Sequence, residues 1–235
     1  MTDQIKYPVA EIFYSIQGEG NQSGTPMVFL RLAGCTVGKP YSMDEKVNRD
    51  FLVFQNECTT WDGRKFPCDT DYRKKKMMTP VEIVEEIENV APACTWISLT
   101  GGEPLMHNVL PLVEYLKEQN YRLHLETSGT IPVGKDGRKL LDVLTYIDWC
   151  VVSPKSPFND RYALEADEVR ILVDEEFDWD NLPESIKNVS QKVWICPVNS
   201  LDEINDDNAK KCVTIVKDHP EARISLQIHK LLNVR

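Results

Sequence analysis

Three cysteines sit where thiols are not expected to be buried. Cys35, Cys58 and Cys68 lie in or at the mouth of a long irregular stretch rich in Gly, Asp, Asn, Lys and Thr, with 22 and nine residues between successive members. A structural zinc site wants four closed ligands, and these offer three. A cubane iron–sulfur cluster on three thiolates leaves one iron open to a further ligand, which is a place for chemistry. The spacing is far from any compact ligand motif and does not by itself decide between these readings. Cys94, Cys150, Cys196 and Cys212 fall in or beside apolar runs such as "YIDWCVVS" and "KVWICPV" and read as small core hydrophobes. An odd total of seven cysteines, with no export signal in "MTDQIKYPVAE", argues against a disulfide framework. A cytoplasmic protein is expected.

Two glycine-rich segments also invite chemistry. "FYSIQGEGNQSG", residues 13–24, follows an apolar strand-like run, yet Ser23 stands where a dinucleotide fingerprint needs its third glycine, and a second strand rather than a helix follows. "TGGEP", residues 100–104, follows a buried-looking strand. There Gly101 and Gly102 let the main chain approach a ligand, and Glu103 offers an anion to an ammonium group. The plainer alternative is a strand-to-helix turn with Pro104 at the helix start.

The elements that must position these groups follow a regular pattern. "TPVEIVEEIENV" opens with Thr79 as N-cap, Pro80 at the first helical position and Glu82 three residues after the cap, which predicts a helix. Strand-like and helix-like segments then alternate: "TWISLT", "VLPLVEYLKEQN", "YRLHLET", "KLLDVLTYI", "WCVVS", "DEVRILV", a helix near 181–188, "QKVWICPV", a helix near 201–218 and a final strand "RISLQIH". Such alternation implies βαβ units on a parallel sheet, about six of them, forming an open or partial barrel in a single domain. Chemistry in such folds collects at the carboxyl ends of the strands. "SIQGEG", "RLAGC", "SLTGGEP", "HLETSGT", "VVSPK", "CPVNS" and "LQIHK" all fall at predicted strand exits.

Composition narrows the partners. Thirty-seven acidic against 27 basic residues give a net charge of −10, which repels a nucleic-acid backbone. No run of about 18 apolar residues suggests a membrane span. A small-molecule substrate or a basic protein fits better.

Taken together, "FYSIQGEG", "FLRLAGC", "CDTDY", "TGGEP", "LETSGT", "SPK" and "LQIHK", in this order across residues 13 to 230, resemble the 7-carboxy-7-deazaguanine synthase family of the radical S-adenosylmethionine superfamily. The departure is the cluster loop: where most of the superfamily has C-x3-C-x2-C, 32 residues here separate Cys35 from Cys68, an insertion over 36–67 with Cys58 as its one internal cysteine.

The resemblance implies a radical S-adenosylmethionine fold with a long modified cluster loop. It also implies ring contraction of 6-carboxy-5,6,7,8-tetrahydropterin to 7-carboxy-7-deazaguanine with loss of ammonia, a step towards queuosine. It assigns a [4Fe–4S] cluster to Cys35, Cys58 and Cys68, and S-adenosylmethionine to Gly101, Gly102, Glu103, Ser128, Ser153 and Lys155. Magnesium goes to Thr70, a hard oxygen ligand. On the substrate side, Gln17 and Glu19 would meet the donor-rich edge of the pterin beside Thr100. Arg31 would take the substrate carboxylate with its guanidinium fork, a surface ion pair being the alternative. His229 would touch the ring from the final strand, while His107, His124 and His219 read as structural. Five residues beyond Lys230 span at most about 18 Å, which brings Arg235 and its carboxylate to the pocket unless the end frays. A flavodoxin or ferredoxin donor and a homodimer complete the implied system. The rival readings are a radical-activating enzyme of the same superfamily and a non-catalytic iron–sulfur or metal-binding protein.

Overall fold

The computed structural model describes residues 5–37, 56–68, 70, 75–133, 138–199 and 203–234. Its centre is a nine-stranded sheet of β1 (Tyr7–Ile16), β2 (Pro26–Leu32), β5 (Lys76–Met78), β6 (Trp96–Gly101), β7 (Arg122–Thr127), β8 (Trp149–Val152), β9 (Glu168–Val173), β10 (Val193–Pro197) and β11 (Arg223–Ile224). The strand order is β11-β10-β9-β8-β7-β6-β2-β1-β5. β1 is antiparallel to both β2 and β5, while every pairing from β2 through β11 is parallel. The reason is connection length: β1 reaches β2 through a short loop, whereas each parallel neighbour after β6 needs a crossover.

The crossovers carry α1 (Pro80–Val90), α2 (Leu110–Glu118), α3 (Arg138–Leu144), α4 (Arg161–Glu165), α5 (Glu184–Lys187) and α6 (Asp206–Asp218). α1 begins as its sequence predicts, with the Thr79 side chain accepting from Glu82 N and the Glu82 side chain accepting from Thr79 N. Its buried Ile83, Val84 and Ile87 recur at helical spacing and join the core with Leu112, Val113 and Leu116 of α2. The expected mostly parallel α/β architecture is therefore present. Among the described residues no helix is long and apolar enough to cross a membrane.

Two expectations need correction. The stretch around the cysteines is not wholly irregular, because β3 (Asn56–Thr59) and β4 (Lys65–Cys68) pair as an antiparallel hairpin that sets Cys58 opposite Phe66 and Cys68 opposite Asn56. Arg64 at its turn bonds Asp62 at 2.8 Å and reaches Asp174 just beyond β9, so the hairpin is tied to the main sheet. The final strand is also shorter than its alternation suggests. After Ser225 N donates to Ile195 O, the chain turns away into α7 (Ile228–Leu231), whose first amide donates to Gly18 O at 3.0 Å. A competing backbone acceptor on the β1–β2 loop ends the ladder, and His229 stands on a helix.

Register decides what each face of the sheet meets. Leu99, Leu125, Val152, Val169, Ile171 and Ile195 belong to the apolar core. Their strand neighbours Thr100, Glu126, Val151, Arg170 and Cys196 project to the opposite face, because successive side chains alternate.

Candidate active site

A cavity of about 260 Å³ opens at the carboxyl ends of the parallel strands. Cys35, Cys58 and Cys68 line it, from the end of β2 and from both strands of the hairpin. Thr70, Thr100, Gly101, Gly102, Ser128, Ser153 and Lys155 line it as well. Sequence reasoning thus named residues that five separate segments bring to one space. No group of three His, Cys, Asp or Glu side chains among the described residues is gathered tightly enough to hold a single metal ion. A cluster makes a different demand, since each thiolate binds its own iron and the ligands are distributed around the group.

The double glycine seats the cysteine loop. Gly101 has φ +138°, and a Cβ there would lie 2.1 Å from Leu32 O. A Cβ on Gly102 would lie 2.0 Å from Gly34 O and 2.8 Å from the Cys35 Cβ. With no side chains in the way, Gly102 N donates to Leu32 O and Glu103 N to Gly34 O. The close approach is between two stretches of backbone, and it carries Cys35.

Glu103 lies beneath the cavity. It is fully buried, and its carboxylate accepts from Leu105 N at 3.0 Å, Thr127 Oγ1 at 2.9 Å, Ser128 N at 2.7 Å and the Ser128 hydroxyl. Ser128 meets Thr130, and Thr130 meets Thr36 beside Cys35. The carboxylate therefore organises the "LETSGT" strand exit and, through it, the cysteine loop. Lys155 is buried, with its ammonium 2.7 Å from Ser153 Oγ and over the Phe66 ring at 5.2 Å. Burial pushes its pKa down, opposed by the pull of Cys58, Cys68, Cys196 and Glu19.

On the polar face of the sheet lies a charged network that sequence analysis missed. Arg170, 5% exposed, donates to Glu168 at 2.6 Å, to Glu126 at 2.9 Å and to Glu19 at 3.1 Å. Glu126 also accepts from Gln17 Nε2 at 3.0 Å and Thr100 Oγ1 at 3.1 Å. Burial alone would raise the Glu126 carboxyl, but Arg170 and these hydrogen bonds outweigh it and hold the pKa at about 2. Glu19, Glu126 and Arg170 all line the cavity. A signal was available in "DEVRILV", where Glu168 and Arg170 share one face of a strand otherwise made for burial. Charged residues in such a strand must be paired.

Other expected residues lie around rather than in the cavity lining. Gln17 is 3% exposed and braces Glu126 from behind, while its Oε1 accepts from Glu19 N at 3.1 Å. Arg31 pairs alongside Thr100 in the sheet, lies over the Phe13 ring at 5.5 Å and approaches Glu11 at 3.9 Å. Its Nε is buried without a hydrogen-bond partner among the described residues. His229 packs on Gly18, and its neighbours Gln227 and Lys230 reach the lining. Arg235 lies outside the described residues. Cys196, expected in the core, is buried as expected and also lines the cavity, and burial first, then the charge of Glu19, pushes its thiol up.

A mostly parallel sheet that delivers thiols, hydroxyls, a lysine and a carboxylate–guanidinium network to one cavity at its strand ends defines an α/β enzyme with a thiol-lined site. A 7-carboxy-7-deazaguanine synthase of Synechocystis sp. is 32% identical over 236 residues, covering 98% of this chain and 95% of that protein. One from Burkholderia multivorans is 30% identical, covering 97% and 99%. The chain belongs to the 7-carboxy-7-deazaguanine synthase family. The synthase of Escherichia coli K12 is 27% identical over 98% of this chain and the whole of its own length. The crystal structure of QueE from Escherichia coli shares the fold with a TM-score of 0.63 at 22% identity, over 96% of each chain. No family model matches the sequence.

Proposed function

We propose that this chain carries out the ring contraction of 6-carboxy-5,6,7,8-tetrahydropterin to 7-carboxy-7-deazaguanine with release of ammonia, on a sheet curved as a partial barrel. The observation that carries the reading is the convergence of Cys35, Cys58 and Cys68 on the cavity that Glu19 and Glu126 also face. Thiols and a donor-recognising floor in one space suit a bound cluster beside an N–H-rich heterocycle.

The donor set fits a [4Fe–4S] cluster on the three cysteines, and Gly101, Gly102, Ser128, Ser153 and Lys155, which line the same cavity, are assigned to S-adenosylmethionine. Bound there, these groups would supply one-electron radical chemistry for activating a substrate C–H bond. The chain's own residues do the rest. Lys155 places a cation among the thiols and the polar strand ends. Glu19 and Glu126 accept from the pterin's amino and amide groups, Thr100 and Gln17 fix Glu126, and Thr70 offers a hard oxygen to magnesium. Arg31, whose Nε approaches Glu11 at 3.9 Å but makes no hydrogen bond among the described residues, is assigned the substrate carboxylate, and His229 and Arg235 the far rim of the ring. Glu103 supports the cofactor side of the site through Ser128. An external flavodoxin or ferredoxin brings the electron to a homodimer.

Anaerobic incubation of the reconstituted protein with S-adenosylmethionine, reductant and 6-carboxytetrahydropterin tests the reading. Formation of the deazapurine is expected, and Glu19→Gln should keep cofactor cleavage while losing turnover. Cofactor cleavage with no deazapurine would favour a radical-activating enzyme, and no cleavage at all a non-catalytic iron–sulfur protein.

A further inference from the structure

We infer that Arg170 is a positioning residue for the pterin site: it holds the carboxylates of Glu19 and Glu126 at one separation, so that the pair recognises a planar, donor-rich heterocycle. The inference rests on the function proposed above and deepens it.

Glu19 and Glu126 reach the cavity from unrelated places, the loop after β1 and the end of β7. One nitrogen joins them. Arg170 Nη1 donates to Glu19 Oε2 at 3.1 Å and to Glu126 Oε1 at 2.9 Å, while Nη2 donates to the Glu19 carbonyl at 3.2 Å. The third nitrogen, Nε, donates to Glu168 Oε1 at 2.6 Å. Glu168 is fully buried and its other oxygen accepts from Asn21 N at 2.9 Å and Trp149 Nε1 at 3.4 Å. A Cβ on Gly20, at φ +67°, would lie 1.8 Å from Glu168 Oε1, so the loop bearing Glu19 rests directly on this carboxylate.

Glu168 therefore has no part in the cavity lining and two jobs behind it: it aims the guanidinium and it seats the loop. The planar fork uses all three nitrogens in different directions, which a lysine ammonium on a flexible stem cannot reproduce. Three carboxylates against one guanidinium also leave this floor acidic, matched to N–H donors. The titratable groups around Glu126 are Arg170 and Glu168 on β9, Glu19 on the loop, His124 on its own strand, and Lys155 and Cys196 across the cavity. Without Arg170, burial and two neighbouring carboxylates would push Glu126 towards its protonated form.

The test is the dissociation constant of 6-carboxytetrahydropterin, measured anaerobically by titration calorimetry on wild type, R170K, E168Q and R170M from about pH 5.5 to about pH 8. R170K should weaken binding roughly tenfold, the loss from one misplaced charge-assisted hydrogen bond. E168Q should weaken it as well, although the residue does not face the ligand. In R170M the affinity relative to wild type should recover as pH rises and Glu126 ionises, a change of profile that a merely structural role would not produce. R170K and E168Q carry the test if R170M does not fold. Wild-type affinity in folded R170K and E168Q, with wild-type pH dependence, overturns the inference alone. A wild type that does not bind the pterin overturns the proposed function and this inference with it.

Discussion

The imidazole of His229 lies on the backbone of Gly18, so closely that a Cβ on that glycine would stand 1.8 Å from Nδ1. Together with the bond from Ile228 N to Gly18 O at 3.0 Å, this contact docks α7 on the β1–β2 loop. Gly18→Ala should displace α7 and cost about 1–3 kcal/mol, as overpacking does. Hydrogen exchange over residues 227–232 should quicken. Unchanged exchange and unchanged stability would refute the contact.

A methyl at Gly102 would meet backbone on the other side, 2.0 Å from Gly34 O, where a flexible side chain cannot swing away. Gly102→Ala should therefore shift Cys35 and reduce the iron bound after anaerobic reconstitution. Full iron loading in a folded Gly102→Ala protein would show that the close approach does not position the thiol.

Reconstituted wild type should hold about four iron and about four sulfide per chain, as three thiolates plus one open iron imply. Cys58→Ala should lose them as completely as Cys35→Ala or Cys68→Ala. Cys94→Ala, whose thiol instead faces the Pro26 and Trp96 carbonyls, should keep them. An intact cluster in Cys58→Ala would remove that residue from the ligand set.

His124 gives the fold a pH dependence of its own. It is fully buried, its Nδ1 lies 3.1 Å from Ser98 Oγ, and burial depresses its pKa from 6.5 to about 4. The unfolded chain takes up this proton below pH 6.5 and the folded chain only below about 4, so stability should fall as pH drops through that window and not above it. The loss is on the order of 3 kcal/mol. Denaturant titrations should show a shallower fall between these limits for His124→Gln. Parallel pH curves for the two proteins would refute the assignment.

Much of the chain was legible because its signals are local. The α1 start is written in Thr79, Pro80 and Glu82, and the strand exits in glycines and hydroxyls that fall where apolar runs stop. The residues around "TGGEP", "LETSGT" and "SPK" could be expected together because strand exits of a parallel sheet share one end. The end of the last strand was not legible: "RISLQIH" alternates like a strand, but Gly18 O, more than 200 residues away in sequence, captures the Ile228 amide. Arg170 was hidden for a related reason, since its three carboxylate partners come from the β1–β2 loop, from β7 and from its own strand.

The sequence by itself determined the kinds of element, their order, and the chemical groups delivered to one end of the sheet, because propensity, capping and periodicity act over a few residues. Only the tertiary structure decided which side of each strand faces the cavity. "VWICPV" is apolar throughout, so nothing in it says that Ile195 joins the core while Cys196 lines the site. A strand covered on both faces loses the polar alternation that would reveal its phase, and the phase is then set by pairing with neighbours far away in the chain.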